Sequence, residues 1–257
     1  MTWIVGTLTP FGLGIVASDI RVTFSNRTEV DCLQKIYSVG GGIVAGFAGS
    51  VKIGFSLLHA LSYESAKLSQ DSAWNLGVIS NTWWPRVARR IYSSANKVET
   101  DLGSQVILVG AYPDSIQSPF AQVEMFTFSS PNFQPTKSVT IASIGCGARA
   151  PDCMKVVEKA FTKPESEFLS LYELGPLGLA TGVGVTLQDT IRQNPTAGIG
   201  RLFQVAVIGR EVCQIIRNEV SFKQDGTEAK FPEIARDYNS LVQFCEKNRW
   251  NAAAAVC

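Results

Sequence analysis

The order of elements in the sequence predicts an α+β protein in which two antiparallel sheets lie between two helical layers. Three observations carry this expectation. The opening is strand-rich, and the blocks then run strands, helix pair, strands, helix pair, strands, which regular βαβ alternation does not produce. No linker or internal repeat divides the chain, and no low-complexity run exceeds residues 252–255. At 257 residues and 46% hydrophobic content there is ample material for one large core. One domain over residues 1–257 is expected, with 231–257 as a helical C-terminal extension.

The first fifty residues contain short apolar runs at 2–8, 13–18, 21–24, 34–39 and 43–48, punctuated by Pro10-Phe11-Gly12 and Gly40-Gly41-Gly42. From Val51 the spacing becomes helical, with Ile53, Leu57, Leu58 and Leu61 on one face. A second helical stretch spans 72–98, where Pro85 should kink or split it because proline lacks an N–H and clashes with the preceding turn. Strands are expected at 105–112, 123–128 and 139–144, and helices at 150–162 and 177–193. Two final strands, 202–208 and 212–222, flank Gly209-Arg210-Glu211, a hairpin signal. A last helix begins near Pro232, with Ile234, Tyr238, Leu241 and Phe244 as its apolar stripe.

Composition excludes several functions. Lys and Arg total 23 against 22 Asp and Glu, a formal net charge of +1, so no global field draws the protein to nucleic acid or an anionic membrane. No apolar run approaches the roughly eighteen residues that cross a bilayer, and the start lacks a signal-peptide pattern, so a cytoplasmic protein is expected. The six cysteines form no Cys-x-x-Cys pair and the one histidine is His59, which argues against a usual zinc site and against Ser-His-Asp or Cys-His catalysis. No cofactor or metal is expected. Any nucleophile must find a base other than imidazole.

Thr2 follows the initiator methionine and is small enough for methionine removal, which would place a hydroxyl and a free α-amine on one residue. The α-amine has an ordinary pKa of about 7.7–8.0, so a modest downward shift makes it a neutral base at physiological pH. A nearby lysine ammonium supplies that shift by like-charge repulsion and also favours an ionised threonine oxygen. Lys35, in a strand between Gln34 and Ile36, is the candidate. Taken alone, Thr2 means little and reads as an ordinary first-strand residue, and Asp19 and Arg21 could be a structural ion pair and Lys35 a solvated lysine; context must raise the other reading.

Four stretches in register resemble the proteasome β-subunit and HslV-like family of N-terminal-nucleophile (Ntn) hydrolases. They are Thr2-Trp3-Ile4-Val5-Gly6, Ala17-Ser18-Asp19-Ile20-Arg21-Val22-Thr23, Lys35-Ile36 and Ala45-Gly46-Phe47-Ala48-Gly49-Ser50, with weaker support from Ile144-Gly145-Cys146-Gly147-Ala148. The resemblance implies the four-layer αββα Ntn fold and amide hydrolysis through an acyl ester. By it, Thr2 would be the nucleophile, Asp19 would orient the Lys35 ammonium, Lys35 would tune Thr2, and the Gly46 amide would form the oxyanion hole. It also implies rings or double rings of identical subunits acting on polypeptides. The sequence contains no nucleotide-binding motif, so energy-dependent unfolding would require a separate ATPase.

The pattern departs from the family at three positions beside the amine. Cys146 stands where a serine is usual, and a thiol is the poorer hydrogen-bonding group. In Asn194-Pro195-Thr196-Ala197-Gly198, Asn194 replaces an aspartate and Ala197 a serine, removing a charge and a hydroxyl. These changes motivate two other readings: an inert structural subunit of the same fold, and a small-molecule amidohydrolase. Gly182-Val183-Gly184 lacks the rest of a dinucleotide fingerprint and is assigned to helix packing. Trp83-Trp84 with Arg86, Arg89 and Arg90 is better suited to a subunit contact than to nucleic acid.

Overall fold

A computed structural model describes residues 2–40, 42–68, 75–111, 123–161, 173–196, 198–209, 212–217, 220–222, 228–230 and 232–257. The opening strands are β1 (Trp3–Leu8), β2 (Gly14–Asp19), β3 (Arg21–Thr23), β4 (Glu29–Asp31), β5 (Ile36–Gly40) and β6 (Ile43–Gly49). Helices α1 (Val51–Leu68), α2 (Leu76–Asn81), α3 (Trp84–Ser94) and α4 (Lys97–Asp101) follow, then β7 (Ser104–Ala111), β8 (Val123–Ser129), β9 (Thr136–Ser138) and β10 (Ile141–Gly145). The remainder is α5 (Pro151–Phe161), α6 (Gly175–Gln193), β11 (Phe203–Ile208), β12 (Cys213–Arg217), β13 (Val220–Phe222), β14 (Glu228–Lys230) and α7 (Tyr238–Asn248). The chain is thus α+β, with helices segregated from antiparallel sheets.

One five-stranded sheet has the order β10-β1-β2-β11-β12 and the other β5-β6-β7-β8-β9, each antiparallel at every pairing. Side chains alternate between faces along a strand, so one strand feeds two cores. In β1 and β2, Trp3, Val5, Ile15 and Ala17 pack with Leu179, Val183 and Leu187 of α6, while Ile4 and Val16 turn to the opposite face. There they meet Ile107, Val109 and Met125 of the second sheet. The other face of that sheet, through Ala45, Phe47, Val106 and Leu108, packs on Leu57 and Leu61 of α1 and Trp84 of α3. Burial on both faces explains why these strands are continuous apolar runs in the sequence.

The differences from expectation have local causes. The helical stretch at 72–98 is three helices, and Pro85 starts α3 rather than kinking it, since the first helical turn needs no N–H from that position. Residues 69–74 lie outside the described part, as do Tyr112, Thr162 and the centre of the Gly209-Arg210-Glu211 turn; the pairing of Ile208 with Cys213 supports the expected β11–β12 hairpin. Strands β4, β9 and β14 have three residues each, too few for a period-two signal. The last helix starts at Tyr238 rather than Pro232, because Asp237 and Ser240 form a reciprocal capping box. Trp84 is fully buried, so the Trp83-Trp84 pair is no exposed aromatic platform. No described helix is long and apolar enough to cross a membrane.

Residues 232–257 are not an appended extension. Leu241, Cys245, Ala252, Ala255 and Cys257 belong to the same core as Val22, Phe47 and Leu57. Trp250 also packs on Phe24, with ring centroids 4.8 Å apart. Leu241→Ala should therefore cost about 2–5 kcal/mol of global stability, by lost burial and a residual cavity. The measurement is the urea midpoint, expected to fall with the slope unchanged; an appended helix would leave the main transition where it is.

Candidate functional site

Trp3 anchors the start of β1. Its indole is buried edge-on against Phe203, centroids 6.1 Å apart, and Nε1 donates to Ser143 Oγ at 3.1 Å. Thr2, one residue earlier, is held by its own carbonyl, which accepts from Cys146 N at 2.7 Å, from Gly147 N at 3.4 Å and from Cys146 Sγ at 3.1 Å. This approach requires glycine at 145: its φ is +86°, and a Cβ there would stand 2.2 Å from the Thr2 carbonyl oxygen.

Asp19 ends β2 and is fully buried. Its Oδ1 accepts from Trp3 N at 2.8 Å and Lys35 Nζ at 3.2 Å, and its Oδ2 from Arg21 N at 3.1 Å and Gly200 N at 3.0 Å. Lys35 precedes β5 and is also fully buried. An ammonium has three N–H donors, and Nζ reaches three oxygens: Thr2 Oγ1 at 2.6 Å, Asp19 Oδ1 at 3.2 Å and Arg21 O at 2.5 Å. A solvated lysine is thereby excluded. The structural Asp19–Arg21 ion pair is excluded too, because the Arg21 guanidinium turns to Asp31 (2.8 Å) and Glu29 (3.3 Å) while only its backbone faces Asp19 and Lys35.

Thr2, Asp19 and Lys35 are thus brought together as the sequence predicts, and Arg21 contributes through its main chain. Gly46 is not at the site. It lies within β6, paired with Ile36 and Ile107, and a Cβ there would point between the sheets, 3.1–3.3 Å from the side chains of Ile4, Ile36 and Ile107. Gly49, three residues on at the strand's end, lines a cavity of about 480 Å³ together with Thr2, Ser104, Cys146 and Arg149. Gly49 has φ +98° and a Cβ there would meet Gly103 O at 2.4 Å, so only glycine fits this point of the cavity wall; its amide donates to Cys257 O at 2.5 Å.

Cys146 reaches Thr2, but through the carbonyl, and burial pushes its thiol above the ordinary range. Asn194 caps the end of α6, is exposed and does not line the cavity. Ala197 lies outside the described residues. Gly200 is, like Gly49, a site residue that sequence reasoning missed: its amide donates to Asp19, which no side-chain motif announces. Gly182 to Gly184 lie inside α6, and His59 is exposed on α1. Among the described residues no group of three His, Cys, Asp or Glu side chains could hold a metal ion.

Comparison with known proteins finds no family profile that matches the chain and no curated relative.

Removing one charge of a buried pair strands the other, which costs about 3–5 kcal/mol. Asp19→Asn should therefore destabilise the fold by that amount, and adding Lys35→Met should recover part of the loss. A double-mutant cycle from urea unfolding measures the coupling; additive effects would mean that the two groups do not depend on each other.

Proposed function

We propose that the chain is a threonine-type Ntn amidohydrolase whose nucleophile is the Thr2 hydroxyl after removal of Met1. The carrying observation is the buried Lys35 ammonium, 2.6 Å from Thr2 Oγ1 and anchored by Asp19. With all three donors engaged, Lys35 has no lone pair to accept a proton. It stabilises negative charge on Oγ1, and the base is the freed α-amine of Thr2, whose protonated form the same ammonium disfavours.

In this reading Oγ1 attacks an amide carbonyl carbon while its proton passes to the α-amine. The developing oxyanion is received by the Gly49 N–H, which replaces Gly46 in that role. Collapse of the tetrahedral intermediate releases the leaving amine with the proton returned from the α-ammonium, and leaves an ester on Thr2. Water, activated by the same amine, then cleaves the ester.

Two faces buried on each sheet, with α1 and α3 outside one and α6 outside the other, support the four-layer αββα Ntn arrangement. By resemblance to the proteasome β-subunit and HslV-like family, the substrate would be polypeptide. The assembly would be a cytoplasmic ring or double ring of identical subunits, served by a separate ATPase. A second reading, an inert structural subunit, is favoured by exposed Asn194, which does not line the cavity beside Thr2.

Intact mass of protein from its own host, before and after a peptide vinyl sulfone, separates the two. The active reading expects loss of Met1 and a single adduct on Thr2, absent in Thr2→Ala. It also expects Lys35→Ala to slow labelling by about 10²-fold or more, the scale of a lost proton-transfer or charge-stabilising partner. Retained Met1, or a free Thr2 that stays unlabelled, favours the inert subunit.

A further inference from the structure

The cavity at Thr2, lined in part by Val256 and Cys257, continues as a slot filled by an extended segment of the chain. Its walls are Thr23, the last residue of β3, and Gly49 to Val51, where β6 passes into α1. Residues 255–257 lie between them and bond to both sides. Thr23 N donates to Val256 O at 2.9 Å and Val256 N returns to Thr23 O at 3.0 Å. Across the segment, Gly49 N donates to Cys257 O at 2.5 Å, Cys257 N to Gly49 O at 2.9 Å, and Val51 N to Ala255 O at 3.3 Å. Thr23 and Ser50 both form antiparallel bridges with Val256.

This is the bonding of an added strand, in which main-chain groups supply the affinity and any extended peptide could replace the occupant. Cys257 is 3% exposed, lines the cavity together with Thr2, and its Sγ donates to Phe47 O at 3.7 Å. Its carbonyl takes up the Gly49 amide, the donor that hydrolysis at Thr2 would need. The segment is anchored from behind. Trp250 packs on Phe24 and Phe244, and Asn251 caps the turn Ala252–Ala254 that delivers the strand.

We propose that residues 255–257 are a tethered competitor: they occupy a peptide-binding groove between Thr23 and Gly49–Val51, and must leave before an extended peptide reaches Thr2. The consequence for catalysis rests on Thr2 being the nucleophile; the groove and its occupant do not. A tether of a few residues holds its ligand at an effective concentration of order millimolar, so a free peptide competes poorly until the segment is released.

Val256→Pro in the full chain tests this. Proline removes the N–H that bonds to Thr23, and the extended backbone of Ala255 (φ −74°, ψ 130°) is already what a residue before proline adopts. The probe is a fluorescein-labelled Ala-Ala-Val-Cys peptide, with binding read by anisotropy in a Thr2→Ala background so that no turnover intervenes. Val256→Pro should bind it about tenfold or more tightly than the parent; equal affinity overturns the proposal.

Should Val256→Pro not fold, amide exchange of the unmodified chain decides. The Val256, Cys257, Thr23 and Gly49 amides should exchange through local opening, well ahead of the Phe47 amide in β6. Exchange at the same rate would make the segment a fixed part of the core and sink the idea. Vinyl sulfone labelling of both chains with Thr2 intact keeps the two proposals apart. Tighter peptide binding without labelling in either chain leaves the tethered competitor standing and removes the nucleophile. Equal, rapid labelling in both with no gain in binding does the reverse.

Discussion

A carboxylate and an ammonium lie fully buried behind Thr2, and the strands around them are arranged so that both are fully bonded. Taking two charges out of water costs several kcal/mol each, which their mutual attraction offsets only when the remaining donors and acceptors are satisfied. The oxygens of Asp19 meet this condition by gathering the amides of Trp3, Arg21 and Gly200 as well as Lys35 Nζ. Those groups come from β1, β3, the approach to β11 and the approach to β5. A single buried carboxylate therefore fixes where four segments of chain meet, and the position of Thr2 follows from it.

Precision at Thr2 comes from the backbone more than from side chains. The Thr2 carbonyl is held by consecutive amides of Cys146 and Gly147, and Gly145 permits the approach only because it has no Cβ and adopts a positive φ. Gly49, also on the cavity wall, likewise combines a positive φ with a close approach to the main chain of Gly103. Both glycines terminate strands buried in sheets, which supplies a rigid mount for groups that must be placed to within about 0.5 Å.

The C-terminal residues serve stability and access together. Leu241 and Cys245 complete the core beneath α1, and the extended segment 255–257 continues that packing into the groove beside Thr2. A segment with two such roles sets a limit on opening: what leaves the groove must do so without removing α7 from the core. The αL residue Arg249 ends α7, and the short turn at Ala252–Ala254 separates the helix from residues 255–257, so release of that segment would uncover the Ala255 and Cys257 side chains while Leu241 and Cys245 stay in the core.

Much of the site is legible in sequence because chemistry-bearing side chains sit on short strands at fixed intervals. Thr2, Asp19 and Lys35 are polar residues in apolar runs, and their burial and bonding follow from that setting. The α+β class is equally legible from the order of strand and helix blocks. Tertiary structure alone chose between Gly46 and Gly49, since two glycines three residues apart are equivalent on paper and only the registry of β6 against β5 and β7 puts one between the sheets and the other at the cavity. It alone supplied Gly200, 181 positions from Asp19 and acting through an amide that every non-proline residue carries. It alone brought residues 255–257 to Thr23 and Gly49, because a run of alanines followed by valine and cysteine has no periodicity, and strand pairing over such a separation is decided by the shape of the groove, to which main-chain hydrogen bonds are indifferent as to sequence.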